Sequence, residues 1–185
     1  MLIIDVQNYC TRPEAHPSEY FTGNLRNSVL PNISQLQAAC RNAHIEVVYS
    51  VIENMTRDGR DRSLDYKISG IDVPRGSADA RVLEVIAPGD DEMVFRKTSS
   101  SVFISTNIDY VLRNLGVRSL IIVGLMTDQC VESAVRDACD LGYLVTLVTD
   151  ACTTASAERH QQSLIGIRGY CRQRTTNDLL AEFAH

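Results

Sequence analysis

The sequence lacks any apolar run that approaches the roughly 20 residues needed by a membrane-spanning helix. It also lacks an excess of positive charge, since 18 lysines and arginines face 23 acidic residues and the formal net charge is −5. No signal-peptide pattern opens the chain. These absences argue against nucleic-acid and membrane partners, and we expect a cytoplasmic protein.

Cysteine usage is also sparse. Six cysteines are spread over 185 residues, and no C-X-X-C pair occurs among them. This spacing is unlike that of a small disulfide-rich scaffold, so we expect reduced thiols. With 44% apolar and 22% charged residues, the composition predicts one ordinary globular domain over residues 1–185.

Apolar runs and helical patterns alternate along the chain. This alternation predicts an α/β fold in three layers, a doubly wound, mainly parallel six-stranded sheet. The predicted strands are 2–6, 45–52, 92–96, 119–123, 143–149 and one that begins near residue 172. The predicted helices are 28–43, one capped at Thr106, one from Thr127 or Asp128 to about 142, 156–167 and one ending near 183.

A long polar segment, 53–76, separates the second and third predicted strands and contains the charge run 57–62. Segments of this length in a compact domain are usually functional lids or disordered. The alternative is a solvated surface held together by its own ion pairs.

Cys130 stands where a strand turns into a helix. The run 119–123 is apolar and rich in β-branched residues, and Val131, Ala134, Val135 and Ala138 follow with helical spacing. Open α/β sheets place their active sites at such carboxyl ends, where free backbone N–H groups favour a thiolate. Cys130 is therefore a candidate nucleophile. The alternative is a small buried residue, as most free cysteines are.

Two further ionisable residues lie at strand ends. Asp5 ends the first apolar run, and Lys97 ends the third predicted strand. Since parallel strands point their carboxyl ends to one edge, these side chains and Cys130 are expected to converge. Taken alone, Asp5 could instead be a structural acid that is held by hydrogen bonds. Lys97, taken alone, could be a lysine exposed to solvent at the end of a strand.

Three motifs in this order resemble the isochorismatase-like cysteine hydrolases. They are Ile-Asp-Val-Gln at 4–7, the lysine at 97 followed by a Ser/Thr run and Phe103, and Gly-X-X-Thr-Asp-Gln-Cys-Val at 124–131. The resemblance extends from residue 2 to about 155. That superfamily includes nicotinamidases, N-carbamoylsarcosine amidohydrolases, ureidoacrylate hydrolases and biuret hydrolases.

The resemblance implies a catalytic triad of Asp5, Lys97 and Cys130. It also implies a cis peptide between Leu125 and Met126, and an oxyanion hole formed by the backbone N–H groups of Met126 and Cys130. In that scheme Lys97 and the helix start lower the pKa of the Cys130 thiol toward neutrality. Asp5 then serves as base and acid around a thioester intermediate.

This sequence differs from the motifs of some subfamilies, and those differences restrict the substrates that we expect. Nicotinamidases carry an Asp-X-His pair after the second strand, where this chain has 53–55 as Glu-Asn-Met and no histidine from 45 to 159. We therefore expect no metal and no other cofactor. Cys130 itself argues against the cysteine-free isochorismatases. A small amide or ureido substrate is expected, most similar to those of the biuret and ureidoacrylate enzymes.

The sequence indicates the residues that contact the substrate less clearly than it indicates the catalytic triad. Gln7 and Asn8 follow the acid and either bind a ureido group or bridge neighbouring loops. Gln173, beside Arg172, either reaches the substrate or lies on the surface. His160 is expected on an exposed helix face, and Asp150 to cap the loop after its strand.

The resemblance further implies a homo-oligomer, a dimer or tetramer. Two other functions remain open at this stage: a catalytically silent binding or assembly module of the same fold, and a thiol-redox protein using Cys130. The redox function requires a second cysteine close by.

Overall fold

Six parallel strands form one sheet in the order β3-β2-β1-β4-β5-β6. The computed structural model describes residues 1–16 and 18–183. The strands are β1 (Leu2–Ile4), β2 (Val48–Ile52), β3 (Met93–Lys97), β4 (Ser119–Leu125), β5 (Leu144–Thr153) and β6 (Arg172–Arg174). The α/β sheet is the predicted one, and every strand pair within it is parallel. The single domain over 1–185 stays a prediction.

Helices cover both faces of the sheet. They are α1 (Glu19–Asn24), α2 (Leu30–Asn42), α3 (Leu64–Ile68), α4 (Val102–Ser105), α5 (Ile108–Asn114), α6 (Glu132–Asp140), α7 (Ala157–Gly166) and α8 (Thr176–Phe183). None of the helices in the described residues is both long and apolar enough to cross a membrane.

The alternating faces of the strands build two cores. Leu2 and Ile4 point to the face covered by α4 to α7, whereas Ile3 points to the face covered by α1, α2 and α8. All three side chains are at most 1% exposed. Each such burial contributes about 1.5–3 kcal/mol, so both faces of β1 hold the layers together.

The first long helix begins earlier than predicted. It runs from α1 through a π-helical segment, Leu25–Val29, into α2, where Pro31 lies in the first turn. A proline has no N–H to donate, and a widened turn accommodates that missing bond. The predicted helix 28–43 corresponds to α2, with Pro31 in its first turn as expected, whereas α1 and the π-helical segment before it were not predicted.

Strand ends also differ from the predicted ones. β1 ends at Ile4 because Asp5 adopts a left-handed backbone conformation with φ 55°. β5 extends through Asp150, whose carboxylate accepts bonds from the N–H and the hydroxyl of Thr176 at 2.8 Å each. Asp150 therefore caps the start of α8 rather than the loop after its strand.

Gly124 lets β4 approach β1 directly before the Cys130 turn. Its φ is +123°, and a Cβ atom there would lie 2.2 Å from the carbonyl oxygen of Ile4. That contact is with backbone, which has no side-chain freedom to relieve it. Any side chain at 124 would push β4 away from the strand that carries Asp5.

We predict that Gly124→Ala lowers the free energy of unfolding by about 2 kcal/mol or more, since it combines a backbone clash with a strained φ. Urea denaturation measures the change. Gly23→Ala is the matched control, because Gly23 lies in α1 with no atom within 4 Å of its Cβ position and should gain up to about 1 kcal/mol. Equal stabilities of Gly124→Ala and the wild type would contradict the prediction.

Candidate active site

Lys97 is the centre of the site at the carboxyl edge of the sheet. Its ammonium lies 2.8 Å from Asp5 Oδ2 and 3.3 Å from Cys130 Sγ. It also donates to the Ser99 carbonyl at 2.8 Å and to the Tyr66 hydroxyl at 2.6 Å. The Lys97 side chain is 0% exposed. An ammonium removed from water requires such a set of partners.

The strand order explains why a lysine is needed at this position. β3 and β1 are separated by β2, so about 10 Å lies between them. The long Lys97 side chain spans that gap to reach Asp5. Asp5 is itself fixed by Ser50 of β2, which donates to Oδ1 at 2.8 Å and whose carbonyl accepts the Asp5 N–H at 3.0 Å. Neighbouring strands thus position both charges.

Cys130 lies in a π-helical turn, Thr127–Val131, that joins β4 to α6. Sequence reasoning placed it in the first turn of an ordinary helix. The turn is held from α7: His160 Nδ1 lies 2.9 Å from the Thr127 hydroxyl, and Ser163 donates to the Thr127 carbonyl at 3.2 Å. His160 is therefore half-buried and bonded to the turn, not the exposed residue that was expected.

Tyr66 is a site residue that sequence reasoning missed. It is 0% exposed, and its hydroxyl donates to the Ser99 carbonyl at 2.9 Å and lies 3.6 Å from Cys130 Sγ. It belongs to α3, which begins after Ser63 caps it by accepting from the Tyr66 N–H. The Ser63 cap signalled a short helix within the polar segment 53–76. Nothing in the sequence signalled that its tyrosine reaches Lys97.

The pKa of the Cys130 thiol is raised to about 11 by burial, with a further contribution from Asp5, while Lys97 and the Tyr66 hydroxyl oppose the shift. The prediction of a pKa near neutrality was wrong, because the cost of burying a thiolate exceeds the attraction of one ammonium shared with a carboxylate. The resting sulfur is therefore a thiol.

Lys97 keeps its proton in this environment. Burial alone lowers its pKa, but the carboxylate of Asp5 and the sulfur of Cys130 outweigh burial and raise the pKa overall. Burial, Cys130 and Asp5 all raise the pKa of Tyr66, so its hydroxyl stays neutral. The site thus holds an ammonium, a carboxylate and two uncharged donors.

A cavity of about 370 Å³ opens onto Cys130. Asp5 and Cys130 line its base, and the segment 69–71 that follows α3 forms one side. A volume of this size suits a small molecule. A larger hollow of about 1190 Å³ runs along β3 and α4, but none of the three converging residues lines it.

The predicted backbone donors lie at the same cavity. The peptide between Leu125 and Met126 is cis, as the family pattern implied. Both Met126 and Cys130 line the cavity, Met126 directly before the turn Thr127–Val131 and Cys130 within it.

Gln7 and Asn8, two of the predicted substrate contacts, are bonded to other parts of the protein. Gln7 lines the cavity, yet its amide bonds Ile52 N at 2.7 Å, Ile52 O at 3.0 Å and Asp79 O at 3.0 Å. Asn8 donates to the Ala78 carbonyl at 2.9 Å. Both amides therefore bridge loops, which was the alternative interpretation.

Gln173 lies away from the cavity. It belongs to β6, the edge strand two places from β4 in the sheet, and its amide donates to the Leu164 carbonyl at 2.6 Å. It is not among the residues that line the cavity. This position gives no support to its predicted contact with the substrate, because β6 lies two strands away from the strand that leads to Cys130.

The segment 53–76 forms ion pairs of its own and also supplies part of the cavity wall, while a role as a lid stays a prediction. Its charge run forms internal ion pairs, with Arg60 3.2 Å from Asp58 and Arg62 3.7 Å from Asp72. Its later residues supply α3 and the cavity wall. The charged residues of the run do not line the cavity.

The donors after β2 do not fit a metal. Glu53 pairs with Arg96 at 2.8 Å and accepts the Gly76 N–H at 2.7 Å, while the Asn54 amide donates to Asp72. Within 1–16 and 18–183, no cluster of three or more His, Cys, Asp or Glu side chains has metal-binding spacing.

Comparisons with known proteins identify the family and the fold of this chain. A family model described as the isochorismatase domain matches residues 1–178. A protein named probable inactive nicotinamidase, from Arabidopsis thaliana, is 30% identical over 91% of this chain and 87% of its own length. The ureidoacrylate amidohydrolase RutB of Agrobacterium fabrum is 27% identical over 89% of this chain and 80% of its own. The crystal structure of a cysteine hydrolase from Pseudomonas syringae pv. phaseolicola superposes with a TM-score of 0.83 at 25% identity, covering 99% and 91% of the two chains.

We predict that alkylation of Cys130 by iodoacetamide accelerates about tenfold per pH unit from about pH 8 to about pH 10, because the thiolate fraction rises that steeply below the thiol pKa. Peptide mass spectrometry measures the rate at this residue. A cysteine in an unstructured peptide is the reference, and its rate levels off above about pH 9.5, one unit beyond its usual pKa of about 8.5. A Cys130 rate that is already constant at about pH 8 would show a thiolate at rest.

Proposed function

Since this chain belongs to the isochorismatase family, we propose that it is a cysteine-dependent amidohydrolase that cleaves a C–N bond in a small ureido, carbamoyl or amide substrate. The observation that carries the proposal is the Lys97 ammonium, in contact with both Asp5 and Cys130 at the base of a small cavity. A nucleophile, a base and a fixed positive charge are the groups that acyl transfer requires.

In the first step Asp5 takes the thiol proton as the Cys130 sulfur bonds to the substrate carbonyl carbon. A thiol with a pKa of about 11 needs a base in contact, and Asp5 Oδ2 has no hydrogen-bond donor other than its ion-pair partner Lys97 among the described residues. The negative charge passes from the Asp5 carboxylate through the sulfur to the carbonyl oxygen of the substrate, and Lys97 stays beside Asp5 and Cys130.

The carbonyl oxygen then carries the negative charge of a tetrahedral intermediate. We assign its stabilisation to the backbone N–H groups of Met126, just before the turn, and of Cys130, within it, since both residues line the cavity. Loss of one such donor typically costs about 100- to 1,000-fold in rate. Asp5 gives its proton to the leaving nitrogen, and ammonia or an amine departs.

A thioester on Cys130 remains, and water completes the cycle. Asp5, again a carboxylate, removes a proton from the water that attacks the thioester carbon. The sulfur leaves as a thiolate and regains the proton from Asp5. No step requires a metal, in accord with the Glu53 and Asn54 side chains being bonded within the protein.

One observation supports the alternative that the protein is catalytically silent. The Arabidopsis relative carries the name probable inactive nicotinamidase. The contacts of Lys97 with Asp5 and Cys130 favour the active enzyme, since a buried ammonium and thiol are not needed for a binding module.

A thiol-redox function also has an observation in its favour, because Cys10 lines the same cavity as Cys130. Burial raises the pKa of the Cys10 thiol to about 12, so it forms little thiolate at neutral pH and is a slow resolving nucleophile. A cytoplasmic location and a homo-oligomer remain further proposals, the first supported by six free cysteines.

We predict ammonia or amine release from at least one member of a panel of biuret, ureidoacrylate, N-carbamoyl amino acids and nicotinamide. Cys130→Ser and Asp5→Asn should each lower kcat by about 10⁴-fold, since residues that act as a unit fail together. Cys171→Ser is the matched control, because Cys171 is half-buried outside the cavity, and it should stay within about twofold of wild type. An acid quench should also trap a covalent adduct on Cys130. Full activity in Cys130→Ser would refute the mechanism.

A further inference from the structure

The residues that line the cavity carry no positive charge. Among those that the structure describes, none is a lysine or an arginine. The acids are Asp5, which is buried at the base, and Glu14, whose side chain is 76% exposed and therefore lies at the mouth. His16, the histidine of the wall, has its pKa lowered by burial and is neutral at physiological pH. A substrate therefore enters a cavity whose exposed charges are negative.

The guanidinium that pairs with Glu14 is shared with a second carboxylate. Arg12 lies 2.8 Å from Asp79 and 3.7 Å from Glu14. One positive charge thus faces two carboxylates, and the mouth keeps an excess of negative charge. Arg12 is itself half-exposed and does not line the cavity.

The Lys97 ammonium at the base is also unavailable to a substrate anion. It has three N–H protons, and its neighbours are the Asp5 carboxylate, the Tyr66 hydroxyl, the Ser99 carbonyl and the Cys130 sulfur. A substrate carboxylate would have to displace one of these partners. Without that displacement the substrate carboxylate would have no positive partner, and desolvating an unpaired carboxylate is costly.

The cavity offers flat and uncharged partners instead. The rings of His16 and Phe21 stack with centroids 4.5 Å apart, and Tyr9 meets His16 edge-on at 6.2 Å. Gln129, the residue before Cys130, is exposed at the cavity and makes no side-chain hydrogen bond to a described residue. Its amide both donates and accepts, which matches a urea or an amide.

We propose that the site selects uncharged, planar amides or ureides and discriminates against carboxylate-bearing ones, with Glu14 and Gln129 as specificity-determining residues. This inference rests on the proposed function, because it concerns the substrate of the same site. It favours biuret-like over ureidoacrylate-like substrates. That choice differs from the substrate in the name of the ureidoacrylate amidohydrolase relative.

A matched substrate pair tests the proposal. N-carbamoylglycine and N-carbamoylglycinamide differ by one carboxylate, and mass spectrometry identifies which bond of each is cleaved. We expect kcat/KM for cleavage of the carbamoyl group to be at least about tenfold higher for the amide, as one unpaired charge near two carboxylates costs this much. An equal or higher value for N-carbamoylglycine overturns the proposal.

Variants then assign the discrimination to Glu14. The ratio of the two kcat/KM values should fall about fivefold in Glu14→Gln and further in Glu14→Lys, because the repelling charge is removed or reversed. Glu84→Gln is the matched control, an exposed glutamate outside the cavity, and should leave the ratio unchanged. An unchanged ratio in both Glu14 variants overturns the role of Glu14.

Binding to Cys130→Ala separates this proposal from the catalytic one. If wild type hydrolyses neither compound, the proposed function fails for this pair, and calorimetry on the variant decides the selectivity. Tighter binding of N-carbamoylglycinamide supports it. Equal or tighter binding of N-carbamoylglycine, or binding of neither compound, overturns it.

Discussion

The buried ion pair between Lys97 and Asp5 is the interaction on which the rest of this site depends. Two charges taken out of water are costly unless each has excellent partners, and here they are 2.8 Å apart with Ser50, Tyr66 and Ser99 as further partners. The same ammonium touches the Cys130 sulfur. Folding and chemistry therefore require the same arrangement, since a chain that fails to bring these strands together leaves an unpaired charge inside.

Much of this arrangement was predictable because parallel strands impose one rule on distant residues. Asp5, Lys97 and Cys130 stand at or just beyond the ends of three different strands, and the carboxyl ends of those strands share an edge. The alternation of apolar runs and helical patterns predicted those strands. Their exact ends were less predictable, since the turn of Asp5 into a positive φ and the length of β5 depend on tertiary contacts.

What the sequence did not reveal is the contribution of tertiary contacts. Tyr66 reaches Lys97 from a polar segment, and His160 holds the Cys130 turn from α7. Neither position has a local pattern that signals these contacts. The direction of the Cys130 pKa shift was also missed, because it is the balance between burial, which raises it, and Lys97, which lowers it. Gln173 lies away from the pocket because strand order, not strand number, sets the distance to it.

A double-mutant cycle on Asp5→Asn and Lys97→Met tests the central interaction most directly, with urea denaturation as the measurement. Each single change leaves a buried charge without its partner and should lower the free energy of unfolding by about 3–5 kcal/mol. The double variant removes both charges, so its loss should be smaller than the sum by about 2 kcal/mol or more. Losses that simply add would mean that the two side chains do not depend on each other, and the account of the site would be contradicted.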